Sequence, residues 1–240
     1  IGEHHCDDFA VSAPDMVLAG IATRTTRLKL ATAVTVLSSD DPVRVFERFS
    51  TLDALSNGRA ELIAGRGSFI ESFPLFGYDL SDYEALFEEK LEMMAQLIHG
   101  GRQSWTGTLT QSLDDVELFP RLAATPLTMW VAVGGSPQSV LRAANYGLPL
   151  MLAIIGGPVD RFAPFADLHR RALDELGKDP QPVGWHSYGH LAQTDDEARE
   201  RMFRPWLEQT SKIGRERGWG RMTRAHFDDE ADHGAMAVGS

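Results

Sequence analysis

The chain has one cysteine, Cys6, in 240 residues. That scarcity excludes an intramolecular disulfide and a cysteine-based zinc cluster, and it fits a reducing, cytoplasmic setting. Long hydrophobic runs are missing as well. No apolar stretch approaches the roughly 18 residues that a membrane-spanning helix needs. Positive charge is the next shortage: 23 Lys and Arg face 34 Asp and Glu, for a formal net charge of -11. No basic run offers a footprint for nucleic acid or anionic lipid, so neither is an expected partner. The G-x-S-x-G turn that carries a nucleophilic serine in one large hydrolase class is absent. The segment Gly65-Arg66-Gly67 lacks the third glycine of a dinucleotide fingerprint and the lysine of a phosphate loop.

What is present is enough apolar residue, 43%, for one sizeable core. Its pattern alternates between two periods. Residues 1–3 read as a strand stub, and Pro14 opens a helix to about residue 25, with Ser12 as its cap. A β-branched run over 28–37 predicts a strand covered on both faces. The run 38–42 caps a helix over 43–55, where Val45, Phe46, Phe49 and Leu52 share one side. Strands follow over 60–65, 128–133, 150–155, 183–192 and 235–238. Helices separate them over 83–98, 137–145, 158–176 and 194–215. Residues 70–82 and 218–234 read as irregular, and 100–126 reads as an insertion over the barrel mouth.

Strict alternation means parallel strands. The expected fold class is α/β, a (β/α)8 TIM barrel in a single domain over 1–240, with a doubly wound open sheet as the alternative. A barrel typically needs about 250 residues. The first strand and last helix are therefore expected outside the chain, with roughly 40 residues before Ile1 and more after Ser240.

In a barrel the residues that follow each strand converge on one face. That face would gather His4, His5, residues 38–41, Arg66, residues 134–139, Gly156 and residues 185–190. Two glycines around Arg66 let backbone approach a ligand closely, and a guanidinium grips phosphate through two hydrogen bonds. Gly135, Ser136 and Ser139 stand at a helix start, where free N–H groups and the dipole favour an anion. The plain alternatives are a tight turn with a surface arginine and an ordinary serine cap. His4 and His5 are adjacent on extended chain and point to opposite faces, so they cannot ligate one metal together. A single histidine at the mouth suits proton transfer. No metal is expected. Trp185, His186, Tyr188 and His190 alternate so that one set faces inward, with Trp185 and His186 as candidates for substrate contact. Glu88, Glu89, Glu92 and the acidic run 195–200 read as solvated helix faces.

Taken together, Gly2-Glu3-His4-His5, Thr32-Ala33-Val34-Thr35-Val36-Leu37, Asp41-Pro42-Val43-Arg44, the Leu52 to Arg59 stretch, Gly65-Arg66-Gly67 and Val131-Ala132-Val133-Gly134-Gly135-Ser136-Pro137 resemble bacterial luciferase-like flavin monooxygenases. The resemblance extends to Val238-Gly239-Ser240. It implies a (β/α)8 barrel binding FMN. Arg66, Gly67, Gly135, Ser136 and Ser139 match the positions that hold the flavin phosphate. Ala33-Val34 matches a strand end against the isoalloxazine, often through a non-proline cis peptide, and His4 matches the histidine beside the flavin's reactive edge. The implied activity is that of a two-component enzyme on paired donors: reduced FMN from a separate NAD(P)H-dependent flavin reductase activates O2, which oxidises a small organic substrate. A homodimer is a further implication, as is a place for Cys6 close to the substrate entrance. The deazaflavin F420 is the alternative cofactor, and a non-catalytic flavin-binding relative and a metal-dependent hydrolase are the remaining readings.

Overall fold

The computed structural model describes residues 1–67, 70–123 and 126–240, with the backbone alone for Glu216 and Arg217. Its elements run α1 (Pro14–Ala22), β1 (Leu30–Ala31), β2 (Thr35–Val36), α2 (Pro42–Ser56), β3 (Ala60–Gly65), α3 (Ser72–Phe76) and α4 (Tyr83–Leu97). They continue as β4 (Arg102–Trp105), β5 (Leu113–Glu117), β6 (Met129–Val133), α5 (Pro137–Asn145), β7 (Leu150–Ala153) and α6 (Ala163–Glu175). The last are β8 (Val183–His186), β9 (Gly189–Leu191), α7 (Asp195–Arg217), α8 (Arg224–His233) and β10 (Ala237–Gly239).

Local chemistry sets several of these boundaries. Asp41 accepts a hydrogen bond from the Arg44 N–H at 3.0 Å, with Pro42 in the first turn of α2, so that helix starts there. It stops at Asn57, which takes the left-handed conformation (φ 58°). Thr194 caps α7 by accepting from the Glu197 N–H at 3.2 Å. The predicted Ser12 cap is not made: α1 is preceded by Ala13, and no side chain caps it.

β1 and β2 both pair with β3, and β3, β6, β7 and β8 follow in that order, every pairing parallel. The result is a parallel half-barrel. A separate parallel pair joins β9 to β10. Val45, Phe46, Phe49 and Leu52 of α2 are buried; each such side chain contributes about 1.5–3 kcal/mol of transfer free energy. In β6, Met129, Val131 and Val133 are buried while Trp130 and Ala132 are half-buried. The strand thus turns one face into the helix-covered core and the other toward the half-barrel interior.

Four expectations require correction. The single strand predicted over 28–37 is broken into β1 and β2, with a cis peptide at Ala33–Val34 between them. Register against β3 shifts across the break, from Leu30↔Ala60 to Thr35↔Ala64. The strand predicted over 183–192 likewise divides into β8 and β9. Residues 218–234 contain α8, whose capping box pairs Thr223 with His226, and residues 70–82 contain the short α3.

The predicted insertion at 100–126 holds an antiparallel hairpin, β4–β5, and none of its described residues lines the cavity at the mouth. Its tip is tied to α4 instead. Glu89 accepts from the backbone N–H groups of Thr108, Leu109 and Thr110 at 2.8–2.9 Å. Glu89 is therefore no free solvated charge. Ala124 and Thr125 of this segment lie outside the described residues, as do Ser68 and Phe69 after the Gly65-Arg66-Gly67 turn.

Candidate functional site

The carboxyl ends of the parallel strands open into one cavity of about 1130 Å³. Ala33 and Val34 line it at the cis peptide. Beside them Gly65 fits only because it lacks a side chain: a Cβ there would lie 2.8 Å from both Val34 methyl carbons. Arg66 and Gly67 follow on the cavity wall, Gly67 in the left-handed region (φ 74°).

Arg66 is held from two sides. Its guanidinium carbon stands 5.3 Å from the centre of the Tyr83 ring and 5.9 Å from that of Phe87, and Nη1 pairs with Glu84. Glu84 is 63% exposed, so water screens that pair. Across β6, Gly134 and Ser139 line the same space, whereas Gly135 and Ser136 continue the turn outside the cavity wall. Ser136 occupies the N-cap position of α5, but its hydroxyl donates to Gln138 Oε1 at 2.9 Å rather than capping the helix. A side chain that sequence reading missed stands behind Ser139. Arg142 Nη1 donates to the Ser139 hydroxyl at 3.2 Å, Nε donates to Glu88 at 2.6 Å, and its guanidinium stands 5.3 Å from the Phe87 ring centre. The Ser136, Ser139, Arg142 spacing along one helix face is the signal that could have found it.

The two histidines separate as period two demands. His4 lines the cavity, stacks on Phe9 with ring centres 3.8 Å apart, and places Nδ1 3.4 Å from Glu71 Oε1. His5 turns away to Glu3 Oε1 at 2.9 Å and meets Phe76 edge-on. Burial pushes the Glu3 carboxyl above its ordinary range, against the opposing pull of its bond to His5. Glu71, 67 residues from His4, carried no sequence signal. Cys6 is not on the cavity wall; its thiol lies 4.0 Å from Glu71. Burial, with Asp8 and Glu71 nearby, pushes that thiol up to about 11. It is an inert thiol at neutral pH.

His186 lines the cavity; Trp185 points away from it and is 58% exposed. Burial lowers the pKa of His186, so the neutral imidazole is favoured near pH 7. A further part of the wall was not anticipated: Trp206, Gln209, Thr210 and Ile213 of α7, then Trp219, Met222 and residues of α8. Among the described residues no three His, Cys, Asp or Glu side chains converge as a metal site, and no helix is long and apolar enough to cross a membrane.

The sequence profile of the family described as luciferase-like monooxygenase matches residues 1–239. A 4-hydroxyprotoasukamycin monooxygenase from Streptomyces nodosus subsp. asukaensis is 29% identical over 86% of this chain and 58% of its own length. The chain spans about half the length of the curated relatives it matches. Among solved structures, the oxygenating constituent of 3,6-diketocamphane monooxygenase from Pseudomonas putida, in complex with FMN, superposes with a TM-score of 0.74 at 17% identity, over 100% of this chain and 74% of that one. An F420-dependent secondary alcohol dehydrogenase gives 0.68 at 19% identity, over 86% and 64%. At these identities the two structures speak for the fold.

Proposed function

Because the chain belongs to the luciferase-like monooxygenase family, we propose that it is the oxygenating component of a two-component flavin monooxygenase, using reduced FMN and O2 on a small organic substrate. The carrying observation is convergence. Ala33–Val34, Arg66–Gly67, Gly134, Ser139 and His4 come from four separate segments and border a single cavity.

The residues present fit the cofactor. Among the described residues, nothing beyond the adjoining ones lies within 4 Å of where a Cβ would stand on Gly134 or Gly135, which leaves room for a phosphate over the α5 N-terminus. There Arg66 supplies charge, Ser139 a hydroxyl, and the helix start its dipole. The phosphate must draw Arg66 from Glu84, an exchange favoured because that carboxylate is exposed. Arg142 positions the Ser139 hydroxyl through its 3.2 Å bond. Bound FMN, once reduced, supplies the electrons for O2 activation. The Ala33–Val34 strand end orients the ring system and Gly65 lets the backbone close behind it. His4 stands at the reacting end and exchanges a proton through its cavity-facing imidazole, while Glu71 holds its Nδ1 edge. Gly135 and Ser136 act through the backbone of the turn.

The wider reading follows from the same family. The half-barrel belongs to a (β/α)8 barrel, a flavin reductase delivers reduced FMN, and the enzyme works in the cytoplasm as a homodimer. F420 is the second reading, supported by the F420-dependent alcohol dehydrogenase among the structural neighbours; it would replace O2 activation by hydride transfer at the same site. The test is stopped-flow mixing of photoreduced FMN with air-saturated buffer, with and without the protein. Slower return of oxidised-flavin absorbance in its presence is expected. A rate equal to that of free FMN at saturating protein would contradict the proposal.

A further inference from the structure

The cavity lining falls into two regions. Arg66, paired with Glu84, and the start of α5 form one of them. At the other, Trp206, Gln209, Thr210 and Ile213 project from α7 at the i, i+3, i+4, i+7 spacing of one helical stripe, and α8 adds Asp229 and Glu230. Trp206 is only 6% exposed and meets Phe227 edge-to-face with ring centres 5.4 Å apart. Both belong to an apolar cluster with Met236, separate from the core beneath the sheet, so the tryptophan is a fixed wall. Glu230 is fixed as well, with both oxygens accepting from the Gly157 N–H at 3.0 Å. Asp229 lies 3.1 Å from His233. Arg161 brings one guanidinium to the same glycine turn, where a Cβ on Gly157 would lie 2.9 Å from its Nη1. Asp229 and Glu230 therefore share this part of the lining with Arg161 and His226.

We propose that the α7–α8 end is the substrate chamber and that it takes an uncharged, largely apolar ring compound bearing at most a hydroxyl or carbonyl. Trp206 and Ile213 pack against the ring, Gln209 and Thr210 offer hydrogen bonds to its one polar group, and Asp229 with Glu230 rejects carboxylates, sulfonates and phosphate esters. The charge separation sends the cofactor's phosphate to one end of the cavity and the neutral substrate to the other. The inference rests on the flavin reading for its place in a reaction, but its binding test is independent of it.

The experiment is equilibrium dialysis of naphthalene, 2-naphthol and 2-naphthoate against the FMN-loaded protein and against the protein alone. The expected order is 2-naphthol first and 2-naphthoate last, with about tenfold or more between them. Trp206→Ala weakens naphthalene and 2-naphthol by about tenfold and leaves FMN affinity within about twofold; Trp206→Phe, which preserves the apolar cluster, gives a smaller loss in the same direction. Replacing both carboxylates (Asp229→Asn with Glu230→Gln) narrows the gap between 2-naphthol and 2-naphthoate. Binding of 2-naphthoate as tight as that of 2-naphthol, no effect of either Trp206 variant, or no binding of any probe would overturn the inference. Loss of FMN binding with the probe order intact would overturn the flavin reading alone.

Discussion

Replacing Arg66 by alanine separates a phosphate-binding residue from a surface ion pair. A charge-assisted hydrogen bond to phosphate is worth about 1.5–3 kcal/mol. Against this stands the pair with Glu84, which is 63% exposed and so worth about 0.2–1 kcal/mol. The net loss on Arg66→Ala is then about 0.5–2.8 kcal/mol, or about 2- to 100-fold in FMN affinity. Riboflavin, which has no phosphate, supplies the control: its affinity should be unchanged. The opposite perturbation sharpens the test. Glu84→Gln removes the competing carboxylate while Tyr83 and Phe87 still frame the guanidinium, so FMN affinity should rise by about two- to fivefold. Fluorescence-quenching titrations of both flavins against the three proteins measure all of this. Equal losses for FMN and riboflavin would refute the reasoning, as would an Arg66→Ala protein that binds FMN normally.

Other expectations follow from neighbouring parts of the molecule. His4→Ala should keep FMN affinity within about twofold yet hasten the return of oxidised flavin after reduced FMN meets air; Glu71→Gln should act in the same direction more weakly, and unchanged kinetics in both would remove the proton-transfer role. Arg59 is buried and donates to the carbonyls of Ala22, Thr25, Leu28 and Ser56 at 2.7–2.9 Å. Arg59→Ala strands those acceptors and should cost about 3 kcal/mol, lowering Tm by about 6–12 °C; a shift under about 2 °C by differential scanning calorimetry would show that water replaces them. Lys90 is 2% exposed, with Nζ donating to the Ser38 carbonyl at 2.7 Å and lying 4.2 Å from the Tyr78 ring centre. Burial lowers its pKa from 10.5 to about 8, against the opposing pull of Asp40 and Asp41. The folded protein thus releases this proton at lower pH than the unfolded chain. Between about pH 8 and 10.5 the unfolded state binds more protons, and this group makes stability rise by about 1.4 kcal/mol per pH unit. Below that window both states are charged and the dependence vanishes. Urea melts should show the rise in the wild type and its absence in Lys90→Met; matching profiles would contradict the shift.

What could be read from sequence was mostly local or periodic. Asp41–Pro42 and Thr194 mark helix starts through contacts three residues away, so α2 and α7 were visible. Adjacency on extended chain is enough, by period two alone, to send His4 and His5 to opposite faces. The breaks inside 28–37 and 183–192 were not visible, because an unbroken β-branched or aromatic run reads the same whether or not the backbone turns within it. α8 escaped for want of a stripe: of its ten residues, Phe227 alone is a large apolar side chain. The β4–β5 hairpin escaped because its strands present mainly polar, exposed residues. Within the site, Glu71 reaches His4 and the α7 wall reaches the cavity through contacts distant in sequence, which no local spacing encodes. Ser136 illustrates the converse. Its position at the helix start was legible, but the Gln138 side chain two residues on captures its hydroxyl.

The central claim is that this cavity holds FMN for oxygen chemistry. Its most direct test is a parallel titration of the protein with FMN and F420, each in oxidised and reduced form. Stoichiometric binding of FMN, tighter when reduced and stronger than any binding of F420, is the predicted result. Preferential binding of F420 would contradict the assignment while leaving the fold and the residue map in place, and binding of neither would remove the cofactor altogether.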